Sequence, residues 1–515
     1  MEMKKTIINI VQAIVLIGFL IACNPDSQDT APLNTDVDRT TLISNLEQVI
    51  PELMKKADVP GLSISVIKEG KIIWTGAFGI KNVKTGEPVT EGTIFEAASL
   101  TKPFFAYMVM KLVEAGELDL DKPLIEYVPE DYLIKKYIRH PMDLEGFRND
   151  WFRTITARMV LSHSSGLPHG GPRKPLLIHF EPGTEYRYSA DGYMYLQRVI
   201  EHLKGETLCE IMRKMVIEPL EMTNSSLVWQ ERFETQSSVG HNVFSDTTGQ
   251  FRKRKQAHSA ASLYTTAKDY AKFVLAMLND AGLKNDTIDL MLTPQVNVEG
   301  DVFWSLGFGI QRTESGDGFW QWGDYGIFRN YVVAYKKHKT GVVYLTNSYN
   351  GLSIGQDIVE LAIGGGKDLG LAYLDYARYD SPRMLWVRTI KDKGVDEAIR
   401  LFPEFKKKYP DDIDESTINW IGYTLLNANQ NEDAIKFFKL NVETFPDSAN
   451  VYDSLAEAYM QSGQTELAIE FYKKTLEIIP KDTKADKDFL ERLKEGAIEK
   501  LKQLEKRLEK EKRKA

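Results

Sequence analysis

The sequence predicts an α+β domain with an antiparallel sheet and helices, followed by an all-α module of helical repeats. Two observations favour this architecture. Strand-like segments lie at both ends of residues 41–366, with helical patterns between them. Beyond about residue 380 the sequence turns helical and repeats at a fixed spacing. Strands at both ends of a domain indicate one sheet that joins its N- and C-terminal segments.

Residues 1–22 have the features of a signal peptide. Lys4 and Lys5 precede an apolar run that is too short to span a bilayer comfortably. The run ends in Leu-Ile-Ala-Cys, which resembles a bacterial lipobox and implies lipidation of Cys23, so that residues 23–40 form a polar tether. We therefore expect a protein of the bacterial cell envelope, lipid-anchored to a membrane and facing the periplasm or the exterior. An ordinary signal peptide with an incidental cysteine is the alternative.

Composition excludes several classes of function. The chain has 515 residues, enough for two or more domains, and its formal net charge of −8 argues against nucleic acid as a partner. Only two cysteines occur, so no disulfide framework is implied. The eight histidines are scattered and no Cys/His cluster has zinc-ligand spacing, so the sequence predicts no metal and no cofactor.

Two hairpins define the predicted sheet. In the first, Leu62, Ile64 and Val66 alternate on one face of a strand, and Glu69-Gly70 supply the turn to the next strand. The second lies near the end of the domain, with a turn predicted at Lys339 to Gly341.

A serine and a lysine stand at the start of an apolar helix predicted over residues 104–115 and ended by Gly116. Ser99 and Lys102 are three residues apart, so they share one face of a helix, where the lysine can reach the hydroxyl. The positive end of the helix dipole favours an alkoxide, and burial of the lysine would lower its pKa. The pair predicts a nucleophile and its base. A helix start followed by a solvated lysine is the alternative.

The residues around this pair resemble a known family. Segment 60–104 resembles the opening of the class C β-lactamases and penicillin-binding-protein-like serine hydrolases, and segments 155–170 and 259–278 are similar to two further landmarks. The resemblance covers about residues 45–365. It implies a β-lactamase/transpeptidase-like fold and an acyl-enzyme mechanism without metal or cofactor. Because members include β-lactamases, peptidases and esterases, the fold does not name the substrate.

The family's second motif is Tyr-x-Asn, and its match here is incomplete. By resemblance, Tyr188 is the tyrosine that moves the proton between nucleophile and leaving group. Ala190 replaces the asparagine, which removes an amide that would contact the lysine and the substrate. Asp191 is adjacent, but its side chain should point elsewhere.

The third motif, Lys-Thr-Gly or His-x-Gly on a strand beside the nucleophile, is also altered. Gln321 replaces the basic residue and brings no charge for a substrate carboxylate. Gly323 is expected to leave space for a substrate backbone. By family analogy, the amide of Asp324 pairs with the amide of Ser99 as the oxyanion hole.

The C-terminal part resembles tetratricopeptide repeats. Ala434 and Ala468 are 34 residues apart in matching helical segments. The same spacing relates Pro446 to Pro480, Gly422 to Ala456, and the turn residues Asn429 to Gly463. A generic helical bundle is the alternative. The predicted boundaries are a linker at 367–390, repeats at 391–484 and a charged cap helix at 485–515.

The sequence thus predicts an exported, lipid-anchored serine hydrolase in which Ser99 attacks while Lys102 and Tyr188 move protons. A small ester, amide or peptide is the expected substrate, and β-lactamase or D,D-peptidase activity is the second choice. The repeats predict a protein partner, so a non-catalytic envelope binding protein is a third possibility. A Ser-His-Asp triad is disfavoured because no Gly-x-Ser-x-Gly turn occurs and His163 matches a structural landmark.

Overall fold

The computed structural model of the chain describes residues 32–139, 143–169, 176–247 and 252–512. The predicted signal peptide, Cys23 and the first part of the tether lie outside these residues. In the part of the chain that is described, no helix is both long and apolar enough to cross a membrane.

Within the described residues, ten strands form two antiparallel sheets. They are β1 (Gly61–Lys68), β2 (Lys71–Gly79), β3 (Phe95–Glu96), β4 (Tyr264–Thr265), β5 (Val296–Glu299), β6 (Val302–Trp304), β7 (Gly309–Thr313), β8 (Gly316–Asp324), β9 (Arg329–Tyr335) and β10 (Thr340–Thr346). The main sheet has the order β2-β1-β10-β9-β8-β7-β6-β5, and β3 pairs with β4 in a small second sheet. Because β1 pairs with β10, the sheet joins the two ends of the domain, as the sequence predicted.

The first hairpin has the predicted turn. Glu69 and Gly70 both have left-handed backbones, as a two-residue hairpin turn requires. The second turn comes earlier than predicted, because β10 already begins at Thr340. Gly341 lies inside that strand, where a Cβ would stand 2.5 Å from the Cβ of Ala334 on β9. This glycine serves close packing between strands rather than a turn.

Twenty α-helices surround and follow the sheet. They are α1 (Arg39–Ala57), α2 (Thr101–Glu114), α3 (Glu130–Lys136), α4 (Asp143–Arg148), α5 (Ala157–Leu161), α6 (Asp191–Lys204), α7 (Leu208–Met212), α8 (Phe233–Gln236), α9 (Ala267–Leu278), α10 (Asn285–Leu292), α11 (Gly355–Ile363), α12 (Leu369–Leu374), α13 (Pro382–Lys393), α14 (Val395–Arg400), α15 (Phe402–Lys408), α16 (Glu415–Asn427), α17 (Asn431–Thr444), α18 (Ala449–Gln461), α19 (Thr465–Ile478) and α20 (Lys487–Lys512). This count covers the described residues only. Helices cover both faces of the sheet, so β1 is buried on both faces, including Ser63 and Ser65.

Helix α2 runs through the hydrophobic core, where the residues from Thr101 to Met110 are all buried. It begins at Thr101, three residues before the predicted start, and Pro103 fits because it lies in the first turn. Phe104 and Tyr107 pack edge-on against Phe273 of α9. The apolar helix fixes the position of its own first turn, which carries Lys102 and directly follows the turn that carries Ser99.

Helices α16 to α19 form two successive helix pairs. In the first pair, a Cβ at Gly422 would stand 2.5 Å from the ring of Phe438, so only a glycine lets these helices cross so closely. Asn429 and Gly463 occupy the turns of the two pairs with left-handed backbones, at φ of 60° and 79°. The helical C-terminal region predicted from the sequence is confirmed.

The segment predicted as a linker, 367–390, is packed rather than extended. It contains α12 and most of α13, and Trp386 of α13 is fully buried against Phe402 and Phe405. Helix α20, predicted as a solvated cap, buries one face against the repeats through Ala497, Leu501 and Leu504. Aromatic contacts such as Tyr349 with Trp420 join the repeats to the sheet domain.

Candidate active site

Ser99 lies in a tight 3-10 turn, Ala98–Leu100, that leads directly into α2. Ala98 has a left-handed backbone (φ 49°), a strained conformation for alanine. Two hydrogen bonds hold it there. The Thr101 hydroxyl donates to the Ala98 carbonyl at 2.7 Å, and the Ala97 amide donates to the Leu263 carbonyl at 2.8 Å. This strained turn could not be predicted from the sequence, because alanine rarely adopts a left-handed backbone.

Lys102 is almost completely buried, with 1% of its surface exposed. Its Nζ donates to Ser99 Oγ at 3.0 Å and to the Ala260 carbonyl at 3.1 Å. Burial lowers the pKa of Lys102 to about 7, and no carboxylate of the described residues counteracts it. At neutral pH a substantial fraction of the amine is therefore uncharged and able to accept a proton from Ser99.

Tyr188 completes a cluster with Ser99 and Lys102. The Lys102 Nζ lies 4.6 Å from the centre of the Tyr188 ring, and the Tyr188 hydroxyl accepts a hydrogen bond from Gln321 Nε2 at 3.3 Å. Burial raises the pKa of Tyr188 well above its usual value, while hydrogen bonds with Ser99 and Gln321 oppose part of the change. The phenol is thus neutral at pH 7 and keeps its proton. Lys102 is the member of the cluster that titrates near neutrality.

Aromatic rings hold Tyr188 in place. His163 lies 4.2 Å and Trp322 4.7 Å from it, measured between ring centres. Burial, and then the charge of Lys102, keep the pKa of His163 well below its ordinary value. Its Nδ1 accepts the Ser189 amide at 3.0 Å, so the imidazole orients the chain beside Tyr188.

The strand edge beside Ser99 is open. Strand β7 pairs with β8 only as far as Trp320, so residues 321–324 are paired with β9 alone. Gln321 Nε2 donates to the Ser99 carbonyl at 3.3 Å. A Cβ at Gly323 would stand 2.2 Å from the Ala97 carbonyl. Only a glycine therefore lets β8 approach the backbone that leads into the Ser99 turn, and space for a substrate backbone at Gly323 stays a prediction.

The backbone of Asp324 points toward this open edge. The Trp322 amide donates to Gln321 Oε1 at 3.2 Å rather than to the β9 ladder. Residues two apart on a strand direct their amides to the same edge, so the Asp324 amide faces that way too. The Asp324 carboxylate is engaged elsewhere, pairing with Arg329 and accepting the Tyr376 hydroxyl.

The altered second motif lies at the start of α6. Ala190 precedes this helix and supplies no side-chain hydrogen bond. The Asp191 carboxylate forms an ion pair with Arg139 and is 2% exposed, so it does not replace the missing asparagine.

Sequence reasoning missed several residues around the site. Arg252 and Arg254 lie against Tyr325, the residue that follows Asp324. Tyr376, from the segment predicted as a linker, reaches the end of β8. The only available signal was the Arg-Lys-Arg run at 252–254, whose spacing does not reveal what it faces.

The comparison with protein families decides the identity of this domain. The sequence model of the β-lactamase family matches residues 46–361. The chain belongs to the β-lactamase family. A tetratricopeptide-repeat model matches residues 449–482, which confirms the repeat prediction.

Two curated relatives of this β-lactamase-family chain are distant in sequence. Protein flp of Staphylococcus aureus (strain N315) is 22% identical over 254 residues, covering 45% of this chain and 48% of the relative. The unguisins hydrolase ungD of Aspergillus violaceofuscus is 24% identical over 276 residues, covering 47% and 46%. The chain thus spans about half the length of these curated relatives.

A solved structure shows the same fold. The D-alanine carboxypeptidase AmpC of Burkholderia cenocepacia superposes with a TM-score of 0.51 at 18% identity, covering 60% of this chain and 95% of the other. The β-lactamase/transpeptidase-like fold predicted from the sequence is therefore confirmed.

Proposed function

We propose that this protein is a serine hydrolase that forms an acyl-enzyme on Ser99 with a small ester or amide, acting as an esterase or a peptidase. The observation that carries the proposal is Lys102. Burying a lysine 3.0 Å from a serine hydroxyl, with no carboxylate partner among the residues that the structure describes, is costly to the fold. Such an arrangement is typical of an activated nucleophile.

In the proposed reaction, neutral Lys102 accepts the Ser99 proton while Oγ attacks the substrate carbonyl. The amides of Ser99 and Asp324 stabilise the oxyanion that forms on the carbonyl oxygen. The neutral Tyr188 phenol then gives its proton to the leaving alcohol or amine, and the lysine ammonium restores that proton. The C–O or C–N bond breaks and the acyl group stays on Ser99. Water attacks this ester with the same groups acting in reverse, which releases the acid and frees the serine.

The altered motifs favour substrates without a carboxylate at the Gln321 position. Gln321 is fully buried and already donates to the Ser99 carbonyl and the Tyr188 hydroxyl. The Gln321 side chain carries no charge for a substrate carboxylate, and the Ala190 side chain has no amide group for the substrate. We expect neutral esters to acylate Ser99 faster than penicillins or cephalosporins, by about 10-fold or more, because a hydrogen bond to a charged group is stronger than a neutral one.

Two other functions compete with this one. β-Lactamase or D,D-peptidase activity would use the same Ser99, Lys102 and Tyr188, and the likeness to a D-alanine carboxypeptidase supports it at the level of fold. A non-catalytic envelope protein would use the repeats to hold a protein partner. The retention of the whole buried cluster argues against the second competitor.

A comparison of two probes tests the proposal. The full chain is treated with a fluorophosphonate and with a fluorescent penicillin, and the Ser99→Ala variant is treated in parallel. We expect fast fluorophosphonate labelling, slow penicillin labelling and none in the variant. Equal labelling of both proteins would refute the nucleophile, and faster reaction with penicillin would reverse the order of the two activities.

The proposed location rests on the lipobox-like sequence at Cys23. We propose that lipidation of this cysteine holds the hydrolase on a membrane of the bacterial envelope. Replacement of Cys23 by serine should move the protein from the membrane fraction to a soluble extracytoplasmic one. Membrane association of the variant that survives a salt wash would contradict lipid anchoring as the sole attachment.

A further inference from the structure

Two arginines beside the proposed active site are placed to act on a substrate. The guanidinium of Arg252 lies 4.1 Å above the centre of the Tyr325 ring, and Arg254 Nη2 donates to the Tyr325 hydroxyl at 2.9 Å. The Nε of Arg254 is buried without a hydrogen-bond partner among the described residues. Both guanidinium groups therefore keep hydrogen-bond donors that the described part of the protein does not use.

Tyr325 connects these arginines to the reacting groups. It directly follows Asp324, whose amide faces the open edge of β8. Its hydroxyl donates to the Ala261 carbonyl, next to the Ala260 carbonyl that holds Lys102 Nζ at 3.1 Å. A substrate that reaches past the end of β8 would thus approach Tyr325 and the two guanidinium groups that contact it.

The charge balance of this cluster favours an anion. The only carboxylate recorded close to the pair, within the described residues, is that of Glu96. Its Oε1 accepts the Arg252 amide at 3.2 Å, and its Oε2 is buried without a partner, so it binds neither guanidinium directly. Two positive charges and one negative charge leave a net charge of about +1, which matches a carboxylate better than a phosphate dianion.

The neighbouring lysine is arranged differently. Lys253 lies between the two arginines in sequence but its Nζ pairs with Glu234 at 2.6 Å and lies over the Trp229 ring. Its charge is compensated and directed away from Tyr325. It therefore provides a matched control within the same three residues.

We propose that Arg252 and Arg254 form a subsite for a carboxylate that the substrate carries at a distance from its reacting bond. This inference rests on the proposed function and names its substrate class, an ester or amide with a second, unreacted carboxylate. The subsite restores, at a different place, the positive charge that Gln321 lacks. Guanidinium groups suit this role because they bind carboxylates through two parallel hydrogen bonds.

Three aryl esters test the subsite in the full chain. 4-Nitrophenyl hydrogen glutarate carries the carboxylate on the acyl side, 4-carboxyphenyl pentanoate carries it on the leaving group, and 4-nitrophenyl pentanoate is neutral. Replacement of Arg254 by alanine should lower kcat/KM about 10-fold for one of the two anionic esters, mainly through KM. The neutral ester should be unchanged, and Arg254→Lys should restore part of the loss.

Further variants separate recognition from folding. Arg252→Ala removes a guanidinium that stacks on Tyr325 without bonding to its hydroxyl, so it should show the same selectivity with an intact fold. Lys253→Ala, the matched control, should leave all three rates unchanged. Equal losses for neutral and anionic esters in the arginine variants, or no preference for either anionic ester in the wild type, would overturn the subsite.

A binding measurement keeps the test independent of turnover. Glutarate is titrated calorimetrically into Ser99→Ala and into Ser99→Ala with Arg254→Ala, and we expect about 10-fold weaker binding to the double variant. Absence of Ser99-dependent hydrolysis with every ester would refute the proposed function alone. Binding of glutarate that does not depend on Arg254 would refute the subsite alone.

Discussion

Two lysine–tyrosine pairs in this protein have similar geometry and different surroundings. Lys102 Nζ lies 4.6 Å from the ring centre of Tyr188 in the sheet domain, and Lys500 Nζ lies 5.2 Å from that of Tyr472 in the repeat module. Lys102 is buried with no carboxylate partner in the described part of the chain, whereas Lys500 is 29% exposed and pairs with two carboxylates. Both lysines contact an aromatic ring, so this contact does not determine their roles. The presence of carboxylate partners and the exposure to water determine whether the lysine acts as a base or links two helices.

The largest expected difference is in reactivity. Lys102→Ala should slow acylation of Ser99 by about 10²–10⁴-fold, the usual contribution of a general base. Lys500→Ala, the matched control, should leave the rate unchanged because α20 lies outside the site. The measurement is the second-order rate of labelling by a fluorophosphonate. A similar loss in both variants would mean that the first acts through general unfolding.

The next difference concerns pH. Since only the neutral amine of Lys102 accepts a proton, acylation should fall about 10-fold per pH unit below the pKa and level off above it. Its midpoint should lie near the pKa of about 7 that burial gives Lys102. The profile of kcat/KM against pH measures this directly.

A carboxylate placed beside Lys102 should make it resemble Lys500. Gln321 and Lys102 both contact Ser99, so Gln321→Glu introduces a negative charge close to the amine at almost constant volume. The midpoint of the pH profile should rise by about one unit or more, because a nearby opposite charge favours the protonated amine. An unchanged midpoint in a folded variant would show that another group controls the profile.

The smallest expected effects are on the free energy of unfolding. Replacement by methionine should change it with opposite signs at Lys102 and at Lys500. The pKa of Lys102 is lower in the folded protein than in the unfolded chain, so the unfolded state binds more protons between about pH 7 and 10.4. The free energy of unfolding should therefore rise with pH across that window, and below it the full cost of burying the charge applies. Lys102→Met should raise the melting temperature at about pH 6, with a gain that shrinks by about pH 10.

In the repeats the same substitution should destabilise. Lys500→Met leaves Asp453, whose pKa burial raises to about 6, without its nearby cation. Because Lys500 is partly exposed, we expect a loss of only about 1 kcal/mol at neutral pH. Urea unfolding of both methionine variants measures the contrast, and a shared sign would contradict the roles assigned to the two lysines.

Much of the fold could be predicted because it depends on short-range pattern. The alternation of apolar residues around Ile64 and the turn at Glu69-Gly70 define a hairpin independently of the rest of the fold. The small residues Gly422 and Asn429 predict a helix crossing and a turn in a repeat. The prediction failed at Gly341 because a glycine that lets strands pack closely looks the same in sequence as one that makes a turn.

The sequence by itself determined the family, the repeats and the spacing of Ser99 and Lys102, since these are properties of neighbouring residues. Only the tertiary structure decided the electrostatics of the site. The pKa of Lys102 depends on burial with no carboxylate of the described residues beside it, and the conformation of Ala98 depends on contacts from distant segments. The position of Arg254 beside Tyr325 joins residues 71 apart in the chain. Burial and long-range contact have no signature in local sequence, because they arise only when separate segments exclude water together.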